Sequence, residues 1–245
     1  MKKIIYVLFL LLLISVMLIS SIFIYNEVKE DNKQEKIFEK LSNIIETKEE
    51  ISTKQEKVED EINIEELYNI NNDLIGWLKI ENTSIDYPVM QTKNRPNYYL
   101  RRNFYKEYSI MGTPYIAEQC DLNKSDNLIV YGHHINGNKM FGELEKYKKE
   151  AFYKNHSIIK FYTKDEIQEY KIISVFKTVA HTGFEYYKYY NLKNESEFNT
   201  FIEKCKKLAF YNIEDTASYG DKLITLSTCE YSQENGRLVV IAKKI

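Results

Sequence analysis

The apolar positions of this chain fall into several distinct rhythms, and the first is an unbroken run. Residues 4–25 carry no charge and follow directly on Lys2 and Lys3. About 20 apolar residues span a bilayer as a helix, so this run predicts a transmembrane segment. A cleaved leader would have a shorter apolar core and small residues before its cleavage site. Here the run is longer, and Ser20-Ser21 offers no Ala-x-Ala-like site. An uncleaved signal anchor is expected, with residues 1–3 cytoplasmic because basic flanks stay inside. The rest of the chain then lies outside the cell.

Residues 26–62 are charged and free of Gly and Pro. Within them Ile37, Phe38, Leu41, Ile44 and Ile45 recur at helical spacing. The face is thin and the charge mixed, so a partly helical, weakly ordered stalk is expected. Too few clean heptads follow one another for a coiled coil.

From residue 63 to 245 the pattern becomes that of a globular domain. Asn63 caps a short helix start with Glu66 returning the bond, and Leu67 and Ile70 continue it. Residues 76–80 and 85–90 read as strands about the Asn82-Thr83-Ser84 turn, followed by strands at 98–100 and 113–117. An apolar strand over 127–131 is stopped by Gly132. Residues 140–147 suggest a short helix, and 158–162 with 170–176 a hairpin across 163–166. The clearest helix covers 194–211, where Phe198, Phe201, Ile202, Cys205, Leu208 and Ala209 make one apolar face. Strands at 223–229 and 236–241 close the chain. Strands dominate, so the fold class is mostly β, a largely antiparallel closed barrel with added helices.

Composition narrows the picture. The chain's 245 residues suit one domain of about 180 residues plus extensions. A net charge of −2 gives no electrostatic case for nucleic acid. With 21 Tyr and 12 Phe against 8 Gly and 3 Pro, a sheet-rich domain is favoured.

The candidate chemistry lies in the last two strands. Alternation turns Ile224, Leu226 and Thr228 one way and Thr225, Ser227 and Cys229 the other. Residues 233–236 form a turn, and Arg237 opens the next strand. Antiparallel pairing would set the Cys229 thiol beside the Arg237 guanidinium. Cations raise the thiolate fraction of a cysteine. Arginine's rigid donor fork suits an oxyanion or a peptide carbonyl. His133 follows Gly132 at a strand end, where a rigid scaffold displays reactive groups. His134 fits packing or a minor substrate contact. No HExxH or CxxC occurs, so the histidine pair is not read as a zinc site. Asn103 sits in the basic connection 101–104, a solvated loop from which it could reach a substrate. Of the 3 cysteines, Cys205 belongs to a helix face and Cys120 to a strand end, and no disulfide is expected.

Thr225-Leu226-x-Thr228-Cys229, an Arg opening the next strand, and an earlier Gly132-His133 together resemble the sortase signature. The resemblance covers residues 63–245. The long helix before the Cys-bearing strand, the N-terminal helix, Tyr131-Gly132-His133-His134, Ser227 and Glu230 look most like class B. It implies a sortase-type β-barrel and a cysteine transpeptidase that joins secreted proteins to the cell wall. Cys229 would be the nucleophile, His133 the general acid–base and Arg237 the oxyanion or backbone donor. Ser227, Glu230 and Asn103 would meet the substrate. The implied partners are proteins with a C-terminal sorting signal of the Asn-Pro-x-Thr-Asn or Pro-x-Thr-Gly type, a peptidoglycan peptide amine, and the membrane. No metal or organic cofactor is implied. A water-resolved cysteine endopeptidase and a non-catalytic surface binding domain are the other classes open on the residues alone.

Overall fold

The computed structural model describes residues 2–52 and 64–245. Helix α1, Lys2–Ser52, is continuous over 51 residues. Its first half is exposed throughout, and its most apolar window has a mean hydropathy of 3.0. Further along, Gln34, Phe38, Leu41 and Ile45 are buried. They recur at the i, i+4, i+7 spacing of one helix face. The segment expected to be a weakly ordered stalk therefore continues the helix and lays a face on the barrel. A narrow stripe suffices because it covers little more than one strand. Phe38 meets the Tyr87 ring edge-on at 5.0 Å, and Ser42 donates to Asp86 at 2.7 Å. The expected Asn63 cap lies outside the described residues, and helix α2 runs Ile64–Ile70.

The strands are β1 (Leu74–Lys79), β2 (Asp86–Met90), β3 (Tyr115–Ile116), β4 (Asn127–Tyr131), β5 (His134–Ile135), β6 (Lys139–Met140), β7 (Ile158–Tyr162), β8 (Ile167–Val179), β9 (Leu223–Glu230) and β10 (Gly236–Lys244). Eight of them close a barrel in the order β1-β2-β3-β4-β9-β10-β8-β7, while β5 and β6 form a small separate ladder. Pairing is antiparallel except at β2–β3 and β4–β9. Closure removes the open sheet edges. Trp77, Phe161 and Phe176 are among the large side chains buried against the barrel wall, each fully buried. Each such side chain contributes about 1.5–3 kcal/mol of burial.

Helix α3 is Glu150–Asn155, and α4 is Glu195–Leu208. Asn194 caps α4 by accepting from the Glu197 backbone N–H at 2.9 Å. Phe198, Phe201, Ile202 and Cys205 are its buried face, and Ser174 of β8 donates to the Cys205 carbonyl at 2.7 Å. Two local expectations change. The strand expected at 98–100 is a 3-10 turn, Tyr98–Arg101, which Asn97 starts in the left-handed region at φ 57°. Tyr99 is buried there, accepting from Asn71 at 2.9 Å and donating to Asp73 at 2.8 Å. The short helix expected at 140–147 is 3-10 rather than α, Phe141–Lys148.

Two pairings set up the site. Parallel β4 and β9 put Tyr131 level with Ser227, so both strands leave the barrel at one end. Antiparallel β9 and β10 put Cys229 opposite Arg237. At the β4 exit the Gly132 N–H donates to the Ser227 carbonyl at 3.1 Å. A Cβ on Gly132 would stand 2.5 Å from the Phe141 ring, so only glycine lets the chain turn there.

Candidate active site

A groove of about 620 Å³ opens at this end of the barrel, and Cys229, Arg237, His133 and Ser227 all line it. Three strand ends thus deliver a thiol, a guanidinium and an imidazole to one place. Cys229 is free and half-buried. Arg237 donates to the backbone carbonyls of Asn235 at 3.3 Å and Gly236 at 2.8 Å. It makes no ion pair with a carboxylate among the described residues, so its charge is not cancelled locally. A guanidinium held this way can meet a developing oxyanion.

The two adjacent histidines part company. His133 faces the groove, and its Nε2 donates to the Leu100 carbonyl at 2.8 Å. A carbonyl only accepts, so Nε2 carries the proton and Nδ1 keeps the lone pair. Burial, assisted by the charge of Arg101 and opposed by the Leu100 bond, holds this imidazole below its ordinary value. It is thus mostly neutral at pH 7 and able to take a proton. His134 lies on β5, where Nδ1 donates to the Cys229 carbonyl at 3.0 Å and the ring meets Tyr231 at 4.9 Å. It braces the backbone of Cys229 without lining the groove.

Ser227 is on the groove floor with its hydroxyl bonded to the Tyr186 hydroxyl. Burial pushes Tyr186 up to about 12, although the Ser227 bond and the Arg237 charge pull the other way. Glu230 is buried and turned toward the 3-10 helix at 141–148, accepting from Lys148 at 2.6 Å and Ser232 at 2.7 Å. Burial raises its carboxyl, but the Lys148 and Ser232 bonds outweigh that and hold it low. Asn103 is also off the groove. It is buried, donating to Glu107 at 3.0 Å and accepting from the Glu107 N–H at 3.0 Å. The asparagine at the groove is Asn97, which accepts from the Tyr115 hydroxyl at 2.8 Å. Tyr115, Tyr131, Tyr186 and Tyr187 make much of the remaining wall. Their only sequence signal was the excess of tyrosine.

Residues 78–245 match the sortase domain model. The chain belongs to the sortase family. It is 33% identical to sortase B of Staphylococcus aureus over 238 residues, covering 96% of this chain and 94% of that protein. Sortase B of Listeria monocytogenes is 32% identical over 193 residues, 77% of this chain and 76% of that one. A solved Staphylococcus aureus sortase B–substrate complex superposes with a TM-score of 0.78 at 34% identity, over 89% of this chain and 98% of that one. The protein is a sortase B-type cysteine transpeptidase.

The other thiols of this sortase stand outside the groove. Cys205 is fully buried under α4, and Cys120 is buried against the Asn127 carbonyl. Burial pushes the Cys120 thiol up to about 11 and the Cys205 thiol higher still. Both behave as small core hydrophobes. Among the described residues no group of His, Cys, Asp and Glu is arranged to hold a metal ion.

Proposed function

We propose that Cys229, His133 and Arg237 carry the transpeptidation. The observation that supports this reading most directly is the register of β9 and β10, which sets Cys229 opposite Arg237 at the mouth that His133 also lines. Cys229 passes its thiol proton to the free Nδ1 of His133, and Sγ attacks a peptide carbonyl of a C-terminal sorting signal. The developing oxyanion accepts from Arg237. As the C–N bond breaks, the leaving amine takes its proton from His133, and the N-terminal part remains as a thioester on Cys229. An incoming amine then attacks the thioester and gives its proton to His133, and Sγ departs. General acid–base help of this kind contributes about 10²–10⁴-fold.

The substrates are secreted proteins with a signal of the Asn-Pro-x-Thr-Asn or Pro-x-Thr-Gly type, and the acceptor is a peptidoglycan peptide amine. The tyrosine-rich groove suits an extended, uncharged peptide. Residues 4–25 hold the protein in the membrane with residues 1–3 inside, so the catalytic domain, residues 63–245, faces the cell wall. One long, exposed, strongly apolar helix supports that anchoring. Ser227 contributes to substrate binding through the groove floor, whereas Asn103 and Glu230 act on the scaffold behind it.

The test incubates the protein with both types of sorting peptide, with and without an oligoglycine or diamino acid acceptor, and identifies products by mass. A joined product that requires the acceptor supports the reading. Cleavage to the free acid alone, unchanged by acceptor, overturns it in favour of a hydrolase.

A further inference from the structure

A second hollow, of about 780 Å³, lies between α1 and the loop after the 3-10 turn at 98–101, well away from Cys229. Its apolar surface comes from Tyr25, Val28, Ile37 and Tyr105, and its rim from Lys29, Lys33, Lys36 and Lys40. Among the described residues, the only acid on that rim is Glu30. Glu35 and Glu39 of α1 line a separate hollow beside Asp86 and Glu143. One face of α1 is thus a lysine stripe, although the helix carries mixed charge overall. The facing loop shows Tyr105 40%, Tyr108 66% and Ile110 39% exposed. Lys29, Lys36 and Lys40 pair with no carboxylate among the described residues, whereas Lys33 holds Glu107 of the loop at 3.1 Å.

The height of this surface follows from the helix. The uncharged run ends at Tyr25, and α1 continues past it without a break. At 1.5 Å per residue, Lys29 stands about 6 Å and Lys33 about 12 Å beyond the end of the run. The interfacial layer of a leaflet is about 5–7 Å thick, and spanning helices tilt by about 20° on average. The lower end of the hollow therefore begins within the headgroup layer. Aromatic residues with nearby cations are the composition that settles at such an interface.

We propose that the lysine stripe of α1 and the 101–110 loop form a docking surface for anionic phospholipid headgroups of the outer leaflet. The proposal rests on residues 4–25 being the membrane anchor. The surface fits lipid rather than a soluble polyanion because it is continuous with the span and combines an apolar floor with a basic rim. Its consequence reaches the active site. The turn just before that loop holds Leu100, whose carbonyl accepts from His133, and just beyond it the Gly112 carbonyl accepts from Gln34 of α1 at 3.4 Å. Docking would therefore steady one wall of the groove and fix its height above the membrane.

The test uses the full chain reconstituted in vesicles of phosphatidylcholine, with or without phosphatidylglycerol, after flotation has selected membrane-bound protein. Tyr108→Trp supplies a reporter, and the unsubstituted protein gives the background of Trp77, which is fully buried in the barrel. The reading is quenching by lipids labelled near the headgroup. Strong quenching with phosphatidylglycerol is expected, lost in Lys29→Glu/Lys36→Glu. It should weaken as salt shortens the Debye length from about 10 Å to about 3 Å. Protein that floats but shows no quenching in either lipid overturns the docking surface and leaves the anchor standing. Equal quenching in both lipids, insensitive to the lysine changes, overturns the anionic recognition. Protein that does not float refutes the anchor, and the docking surface falls with it.

Discussion

Replacing Leu41 by Ala tests whether α1 is part of the catalytic unit or a tether to it. Leu41 is fully buried, between Phe38 and Ile45 on the face that meets the barrel. Burial of these three side chains stabilises the fold by about 1.5–3 kcal/mol each, about 5–9 kcal/mol together. That is an upper figure, since unfolded chains already bury some apolar surface. It is still comparable with a whole domain's net stability of about 5–15 kcal/mol. A single Leu→Ala change in a packed core costs about 2–5 kcal/mol. In a protein lacking residues 1–26, which keeps the whole buried face, Leu41→Ala should lower the unfolding free energy by that amount. The assay is urea denaturation followed by circular dichroism, with peptide cleavage measured on the folded protein. Deleting residues 1–52 should be far worse, because it removes Gln34 and all three apolar anchors. A loss below about 1 kcal/mol at constant m would show that α1 is not in the cooperative unit, and the stalk reading would return.

Four further outcomes follow from the site. His133→Ala should lower turnover by about 10²–10⁴-fold, and His134→Ala by much less, because His134 only braces the Cys229 carbonyl; the opposite ranking would exchange their roles. By NMR the His133 imidazole should titrate below 6.5, owing first to burial and then to Arg101, so Arg101→Ala should move it upward. The unfolded chain binds this proton more tightly, so the His133 contribution makes stability fall as pH drops through the ordinary histidine range and below; a pKa above 6.5 would contradict that environment. Arg237→Lys and Arg237→Ala should both lose about 10²–10³-fold in kcat/KM if the donor fork serves the oxyanion, and near-normal activity for the lysine variant would reduce its role to charge. Alkylation of the native protein near neutral pH should label Cys229 and spare Cys120 and Cys205, which burial holds as thiols; comparable labelling of either would refute their core positions.

The strands were most legible where one physical signal acted alone. The apolar run 127–131 and the alternating 223–229 became β4 and β9, and the 233–236 turn fixed Cys229 against Arg237. Local pattern fails where long-range contact decides. Tyr98-Tyr99-Leu100 has the β-favouring composition of a strand, yet Tyr99 is held by Asn71 and Asp73 from a distant segment and the chain turns instead. The thin stripe on α1 looked too weak to fold because its partner, β2, lies some forty residues further along the chain. Asn103 and Asn97 are both asparagines in a polar connection, and nothing local says which faces the groove. The meeting of His133 with Cys229 depends on the parallel β4–β9 pairing, a contact across about a hundred residues that no local rhythm encodes.

The central claim is that catalysis passes through a thioester on Cys229. Its most direct test is the mass of the enzyme quenched during turnover of a sorting peptide, before and after adding an amine acceptor. The account predicts an adduct equal to the N-terminal fragment less water, mapped to the peptide containing Cys229, which disappears as joined product forms. Product formation with no adduct at Cys229, or undiminished turnover in Cys229→Ala, would contradict it.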